Sequence, residues 1–342
     1  MSNGKIVFAA AMALASAAFG AAQPELLGAG TRYATDAYPG FDSEDDMLKP
    51  SRKEPRWFSW LNGPAEDNAA DQFALANELL AGESWRAARK AFDALVREWP
   101  VSPEAPKAQQ ALAELYLGHY LDYEDAFAEF RYLLDFYSSQ CDYEAIAAEM
   151  YKTAEMMRDE GKKLLFFRFA NTVDVRRAYE SLVLRAPGAG FVPDAMLTIA
   201  SLREDEGELE KAIQVYENLR NLHPASAQAK KALYREAKTR MTLLREREYN
   251  RARTRDTIDY LKLALAQNAV SGNERDEMAG WLSEAEAANE EDAFRSAKFY
   301  DSRTRTRRSA ISAYERFLSE HPASARAPAV RARIAELQEE SK

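Results

Sequence analysis

The sequence predicts an all-α fold in which pairs of antiparallel helices are repeated along the chain. The first observation behind this prediction is a recurring spacing of alanine, an aromatic residue four positions later, an apolar residue after three more and a proline after another five. The second is a near-duplication, because His-Pro-Ala-Ser-Ala occurs at His223 and again at His321. The third is composition: 46% of the 342 residues are hydrophobic and 11% are aromatic, which is ample for a core.

Six segments carry this spacing. Three of them are complete, and a fourth has valine in place of alanine. One has serine in place of proline, and one keeps only the aromatic and apolar positions. The segments are, in chain order, Ala88, Phe92, Leu95, Pro100; Ala126, Phe130, Leu133, Ser138; Val175, Tyr179, Leu182, Pro187; Ala212, Tyr216, Leu219, Pro224; Asp256, Tyr260, Leu263, Asn268; and Ala310, Tyr314, Phe317, Pro322. An ordinary bundle has no reason to repeat such a spacing, so a repeat array is favoured.

The spacing has a structural meaning. Residues four apart lie on one face of a helix, so the small residue admits a neighbouring helix and the ring fills the space beside it. Proline cannot continue the helix, and the serine after it predicts the start of the next one. Each unit is therefore predicted to be two helices and a turn, stabilised by stacking on its neighbours.

The amino terminus has the pattern of a secretory signal. Lys5 precedes an apolar run from Ile6 to Ala15, and small residues lead to Ala22. The run is too short to span a bilayer comfortably. We therefore expect residues 1–22 to be a signal peptide and the mature protein to be exported.

Residues 23–67 are predicted to form an extended or disordered arm, because Gly, Pro, Asp, Glu and Ser dominate there without a helical period. This arm contains a short segment of bulky apolar residues that includes Trp57, Phe58 and Trp60. The segment either folds back on the first helix or serves as a short docking motif, since aromatic residues are common interface anchors. Residues 68–342 are the predicted repeat domain.

Composition excludes several classes of function. The net charge of −9 argues against a general nucleic-acid binder, and the single cysteine, Cys141, excludes an intrachain disulfide framework and a cysteine-rich metal site. Two of the three histidines precede repeat prolines, and the carboxylates lie on charged helical faces. We therefore expect a protein that is not an enzyme and needs no cofactor or metal.

One basic stretch, Tyr234 to Asp256, contains many arginines with glutamates interleaved. We interpret it as a long exposed helix with ion pairs between residues four apart. The alternative is a docking face for an acidic partner or for anionic lipid head groups. A second basic cluster follows Asp301, at the predicted turn of the last unit.

The repeat spacing resembles that of the tetratricopeptide repeat family, whose units carry small residues in both helices, an aromatic residue in the second helix and a terminal proline. Ala76 with Ala88, and Ala200 with Ala212, match the two small positions. The resemblance implies a right-handed helical-hairpin solenoid of about five to six repeats. The aromatic positions recur at irregular intervals, so longer helices or insertions are expected between some units.

From about Asp71 to Leu337 the chain also resembles the outer-membrane protein assembly factor BamD (ComL-type) family. The segments that carry this resemblance begin ALANELLAGESWRAARKAF and AFRSAKFYDSRTRTRRSAISAY. It implies a periplasmic scaffold, peripheral to the outer membrane, whose partners are the outer-membrane barrel insertase, other assembly subunits and unfolded outer-membrane protein segments. Family members carry a lipid-anchored cysteine after the signal, whereas Gln23 stands here, so no lipid anchor of that kind is expected.

Three alternatives remain. The protein is another exported repeat scaffold such as the Tol-Pal cell-division coordinator, a signalling or cytoplasmic chaperone adaptor, or an enzyme with a cluster of perturbed titratable groups in a pocket. In a scaffold, the first helices of the units line a concave surface, although the same residues could pack internally. The predicted partner-binding residues are Phe73, Asn77, Leu115 and His119 on the helices, and Trp57 and Trp60 on the arm.

Overall fold

The computed structural model describes residues 38–42, 63–163, 168–246, 251–267, 270, 272–302 and 307–339. Regular structure within these residues is helical, and the chain divides into two compact units, unit 1 (residues 1–211) and unit 2 (residues 212–342). The helices are α1 (Ala69–Ala81), α2 (Trp85–Glu98), α3 (Ala105–Leu115) with a π-helical turn (Tyr116–Tyr120), α4 (Tyr123–Phe136), α5 (Tyr143–Lys163), α6 (Arg168–Arg185), α7 (Val192–Asp205), α8 (Leu209–Leu222), α9 (Ala227–Glu246), α10 (Arg251–Ala266), α11 (Asn273–Asp301), α12 (Arg307–Glu320) and α13 (Ala327–Glu339).

Neighbouring helices pair in the order that the repeat spacing predicts. In unit 1, α1 packs on α2, α3 on α4 and α5 on α6, and in unit 2, α9 packs on α10 and α11 on α12. The small and aromatic positions are buried in five of the six copies, as in Ala88 with Phe92 and Ala310 with Tyr314. The predicted all-α fold of tandem helical hairpins is therefore confirmed.

The two His-Pro-Ala-Ser segments form the same kind of turn. The backbone N–H of Ser226 donates to the carbonyl oxygen of His223 at 3.0 Å, and that of Ser324 donates to His321 at 3.1 Å. The Ser226 hydroxyl accepts a hydrogen bond from the N–H of Ala229 at 3.0 Å and so caps the start of α9. The prolines lie just beyond α8 and α12, which end before them as predicted.

The weakest copy of the spacing is out of register by one residue. Leu263, its predicted apolar position, is 59% exposed, whereas Thr257, Leu261 and Ala264 are buried. These three residues have the same offsets of four and three. The predicted register is wrong because the charged Asp256 does not take a buried small position, while threonine at the next residue does.

The basic stretch belongs to two helices that pack on each other, α9 and α10, so the interpretation as one long exposed helix is wrong. Its charges pair both within and between helices. Arg240 pairs with Glu236 one turn away, as predicted, at 2.8 Å. Arg245, however, pairs with Glu284 of α11 at 2.6 Å. Two arginines of α10 likewise pair with acidic residues of α11 and α12. The local sequence pattern does not predict these contacts between helices.

A short piece of the predicted arm, residues 38–42, forms a turn in unit 1. Pro39 and Gly40 take its central positions, and the N–H of Phe41 donates to the carbonyl oxygen of Tyr38 at 3.1 Å. Gly40 has a φ of 92°, as the third residue of a type II turn requires. The rings of Tyr38 and Phe41 stack with centroids 5.1 Å apart.

The predicted signal peptide (residues 1–22) and the two tryptophans of the arm, Trp57 and Trp60, lie outside the described residues, so these predictions stay predictions. Among the helices that the structure describes, none is long and apolar enough to cross a bilayer.

Candidate partner-binding surface

The start of α2 and the end of α3 together present a cluster of rings around one guanidinium group. Trp85 and Arg89 are four residues apart on α2 and therefore share a face. Tyr116, His119 and Tyr120 lie in the π-helical turn that follows α3. We call these five residues the aromatic surface.

The π-helical turn ends in an uncommon backbone conformation. Leu121 has a φ of 53°, which is left-handed, and the N–H of Asp122 donates to the carbonyl oxygen of Tyr116 at 3.0 Å. Asp122 then begins α4, because its carboxylate accepts the N–H of Asp125 at 3.1 Å. A left-handed leucine is strained, and single π-helical turns are frequent at functional sites. Strain at this position supports a role for the turn beyond helix stability.

His119 is the outermost member of the aromatic surface. Its exposed imidazole stacks on the half-buried indole of Trp85, with centroids 4.6 Å apart and planes inclined by 25°. The edge of Tyr120 meets the same imidazole at 5.0 Å and 80°. Stacked and edge-on rings at these distances attract one another beyond their simple burial, so the imidazole is held in a defined orientation.

Arg89 supplies the charge of the aromatic surface. Its Nη1 donates to the hydroxyl oxygen of Tyr116 at 3.1 Å, and its Cζ lies 6.0 Å from the ring centroids of both Tyr116 and Tyr120. Burial raises the pKa of Tyr116 even though the bond from Arg89 opposes the shift. Tyr116 is therefore neutral at pH 7, and the positive charge of Arg89 is not cancelled by it.

The four helical residues predicted to bind a partner lie in different environments. Phe73 is half-buried, with its ring centroid 5.9 Å from that of Phe92. Asn77 is exposed, and its Nδ2 donates to the carbonyl oxygen of Phe73 at 2.8 Å. Leu115 is only 5% exposed and packs internally. His119 is the residue of this set that belongs to the aromatic surface.

The predicted partner-binding residues do not include Trp85, Arg89, Tyr116 or Tyr120. The available signal was a Trp-x-x-x-Arg pair on one helix and a Tyr-x-x-His-Tyr group at the end of the next. Each group shares a helix face, but the pattern within one helix does not say that the two faces meet.

A second surface feature lies in unit 2, where a groove of about 500 Å³ is lined by residues of α10, α11 and α12. Arg251, Arg308 and Arg316 line it together with the exposed ring of Tyr300. The two basic clusters of the sequence therefore meet at this groove. Within the part of the chain that the structure describes, no group of three or more His, Cys, Asp or Glu side chains is placed to hold a metal ion.

The chain matches no protein-family model and no curated protein. Among solved structures it is similar to PilW, a widely conserved type IV pilus biogenesis factor, with 16% identity over 78% of this chain and 99% of that one and a TM-score of 0.30. It is similar to Acl4, the assembly chaperone of RpL4, with 16% identity, coverages of 66% and 85% and a TM-score of 0.32. A tetratricopeptide repeat protein from Parabacteroides merdae is 12% identical, with coverages of 79% and 98% and a TM-score of 0.29. The assignment of helical hairpins with tetratricopeptide spacing rests on this chain's own helices.

Proposed function

We propose that this protein is a non-catalytic scaffold that binds a peptide or helix of a partner at the aromatic surface. The stacked pair of Trp85 and His119 carries the proposal, because its rings reach solvent in a fixed orientation beside the guanidinium of Arg89. Aromatic and arginine side chains dominate the binding energy of protein interfaces. Rigid rings also lose little conformational entropy when a partner binds.

For the partner we propose the outer-membrane barrel insertase, with other assembly subunits and unfolded outer-membrane protein segments as further ligands. This choice follows the resemblance to the BamD family. The proposed location is the periplasm, peripheral to the outer membrane, after removal of residues 1–22. The basic residue, the apolar run and the small residues of that segment support export.

Capture from detergent-solubilised envelopes tests the partner. Full-length protein with a carboxyl-terminal tag is expected to retain the barrel insertase. Recovery of Tol-Pal components instead would support the alternative exported scaffold and contradict the proposed partner. An uncleaved amino terminus found in the cytosol would contradict the proposed location.

Replacement of two exposed residues tests the surface. We expect Asn77→Ala with His119→Ala to weaken partner capture about tenfold, because the outermost ring of the aromatic surface is removed. The melting temperature should fall by no more than about 3 °C, since both side chains are exposed and the ring contacts of His119 are the main loss. Gln214→Ala, at an exposed position of α8, is the matched control and should bind like the wild type. Loss of folding in the double variant would show that these side chains serve packing instead.

A further inference from the structure

A buried cluster of charges lies where α6 meets α7, outside the aromatic surface. The side chain of Arg203 is 0% exposed, that of Arg176 is 3% exposed, and both contact the fully buried carboxylate of Glu180. The distances to Glu180 Oε1 are 2.9 Å from Arg176 Nη1 and 2.8 Å from Arg203 Nη2. Two guanidinium groups on one buried carboxylate leave an excess positive charge, which is unfavourable in a medium of low dielectric constant.

The loop that follows α7 supplies two further carboxylates to these arginines. Glu206 accepts from Arg176 Nε at 2.8 Å, and Glu208 pairs with Arg203. Two further cations lie at the rim of the cluster. The ion pairs of the helices and their connecting loop thus join three cations, Arg176, Arg203 and Lys211, to three carboxylates, Glu180, Glu206 and Glu208. Arg177 Nε lies 3.6 Å from the arm residue Asp42.

A fourth carboxylate comes from the arm and bridges the two buried arginines. Asp42 Oδ1 lies 2.9 Å from Arg203 Nη2, and its Oδ2 lies 2.9 Å from Arg176 Nη1. The backbone N–H of Asp42 also donates to Glu180 Oε2 at 3.3 Å. Burial alone would raise the pKa of Asp42, but hydrogen bonds from Arg203 and Arg176 hold it well below its usual range. The cluster therefore recognises both the carboxylate and the main chain of the segment that enters it.

The segment that presents Asp42 forms its own local turn. Its type II turn is closed by its own backbone hydrogen bond, and its two rings stack on each other. Its residues are half-buried or exposed, whereas the arginines that hold the carboxylate are buried. A small contact of this kind, on a preformed receptor, can be made by a short peptide.

We propose that Arg176, Glu180 and Arg203 form a binding site for an acidic-turn peptide, in which an aspartate directly follows an aromatic residue, and that residues 38–42 are its intramolecular occupant. A partner segment with this chemistry binds there by displacing the arm. The site is separate from the aromatic surface, so the inference stands or fails independently of the function proposed above.

A labelled peptide with the sequence of residues 35–45, TDAYPGFDSED, tests the site by fluorescence anisotropy. We expect it to bind the full-length Asp42→Asn protein at least about tenfold more tightly than the wild type, because a tethered competitor acts at an effective concentration of order 1 mM. The same peptide with asparagine at position 42 should bind neither protein. Equal binding of the two peptides, or no binding of either one to Asp42→Asn, would overturn the proposal.

Variants of the receptor localise the binding. In the Asp42→Asn background, Arg176→Gln should abolish binding of the aspartate peptide, because one of the two buried donors is lost. Arg177→Gln is the matched control, since Arg177 Nε lies 3.6 Å from Asp42 and is partly exposed, and it should weaken binding less than about threefold. Equal losses in the two variants would contradict the assignment to Arg176.

Hydrogen exchange on the wild-type chain gives an answer even if a variant fails to fold. An excess of the aspartate peptide should accelerate amide exchange in residues 38–42, whereas the asparagine peptide should not. Unchanged protection at saturating peptide would show that the arm is a fixed part of the fold.

Discussion

Glu180 in unit 1 and Glu236 in unit 2 both place a fully buried carboxylate against two arginines. Arg220 Nη2 and Arg240 Nη2 each lie 2.8 Å from the Glu236 carboxylate, at distances close to those of Arg176 and Arg203 around Glu180. In both clusters two cations meet one buried anion, and further groups must balance the charge.

The two clusters differ in what completes them. In unit 2 the ring of Tyr260 lies against both guanidinium groups, with centroid distances of 5.3 Å to Arg220 and 4.7 Å to Arg240, and Glu217 also pairs with Arg240. In unit 1, Glu206 pairs with Arg176 and Glu208 with Arg203, and Asp42, which is 134 residues from Arg176 in sequence, bridges both arginines. The unit 2 cluster is thus closed by its own helices, while the unit 1 cluster also takes a carboxylate from the distant arm.

The largest effect that distinguishes the clusters is expected at Arg203. Arg203→Ala should lower the free energy of unfolding by about 4 kcal/mol, because it leaves a cavity and removes one of the two arginines around Glu180. Urea denaturation followed by circular dichroism measures this. Lys211→Ala, at the partly exposed rim, should change stability by less than about 0.5 kcal/mol. A loss below about 1 kcal/mol for Arg203→Ala would mean that the unit 1 cluster is not a buried charge network.

Neutralising the two glutamates compares the clusters directly. Glu236→Gln should lower the free energy of unfolding by about 2.5 kcal/mol, because both arginines lose their shared carboxylate. Arg220 then keeps only its contact with the ring of Tyr260, and Arg240 keeps that ring and its pair with Glu217. Glu180→Gln should cost about half as much, because Asp42 still pairs with both arginines there. Equal losses in the same denaturation experiment would show that Asp42 does not compensate.

The contribution of Asp42 should depend on pH. Its folded pKa is lowered, so its carboxylate stabilises the fold above the unfolded pKa of about 3.9, and this stabilisation is lost as the pH falls towards the folded pKa. Asp42→Asn should lower the free energy of unfolding by about 1.5 kcal/mol at pH 7, and this loss should shrink progressively between about pH 5 and pH 2. Melting curves of both proteins across this range measure the difference. A constant difference would argue against an ion pair in the folded state.

The smallest expected effect concerns Tyr260. Tyr260→Phe removes the hydroxyl that donates to the carbonyl oxygen of Leu233 at 2.8 Å, but keeps the ring over the arginines. We expect a loss of about 1 kcal/mol. Tyr234→Phe removes an exposed hydroxyl that contacts Glu277 and is the matched control, with an expected change near zero. If the free energy of unfolding falls equally in both variants, the buried hydrogen bond of Tyr260 contributes no more to stability than the exposed one of Tyr234.

The repeat fold was predictable because its determinants are local. Ala88 and Phe92 must share a helix face whatever surrounds them, and Pro224 must end a helix. The prediction went wrong where two registers compete within one helix, as at Leu263 and Leu261, because aromatic spacing alone does not show which face is covered.

The candidate sites were less predictable, because they join distant residues. The sequence pointed to His119, but the stacking partner Trp85 lies on another helix, and the meeting of the two depends on how the hairpins pack. In the sequence alone, Asp42 cannot be distinguished from the other acidic residues of the polar arm. Its role follows only from the two arginines that the fold buries more than a hundred residues later.

Buried ion pairs are shielded from dissolved ions far better than exposed ones such as Arg245 with Glu284. A concentrated-salt wash will therefore strip surface-bound contaminants and still leave the arm seated on Arg176 and Arg203. Protein purified in this way enters any binding screen with that receptor already filled. A ligand that needs the receptor would be scored as inactive unless the screen begins from a chain whose own aspartate has been removed.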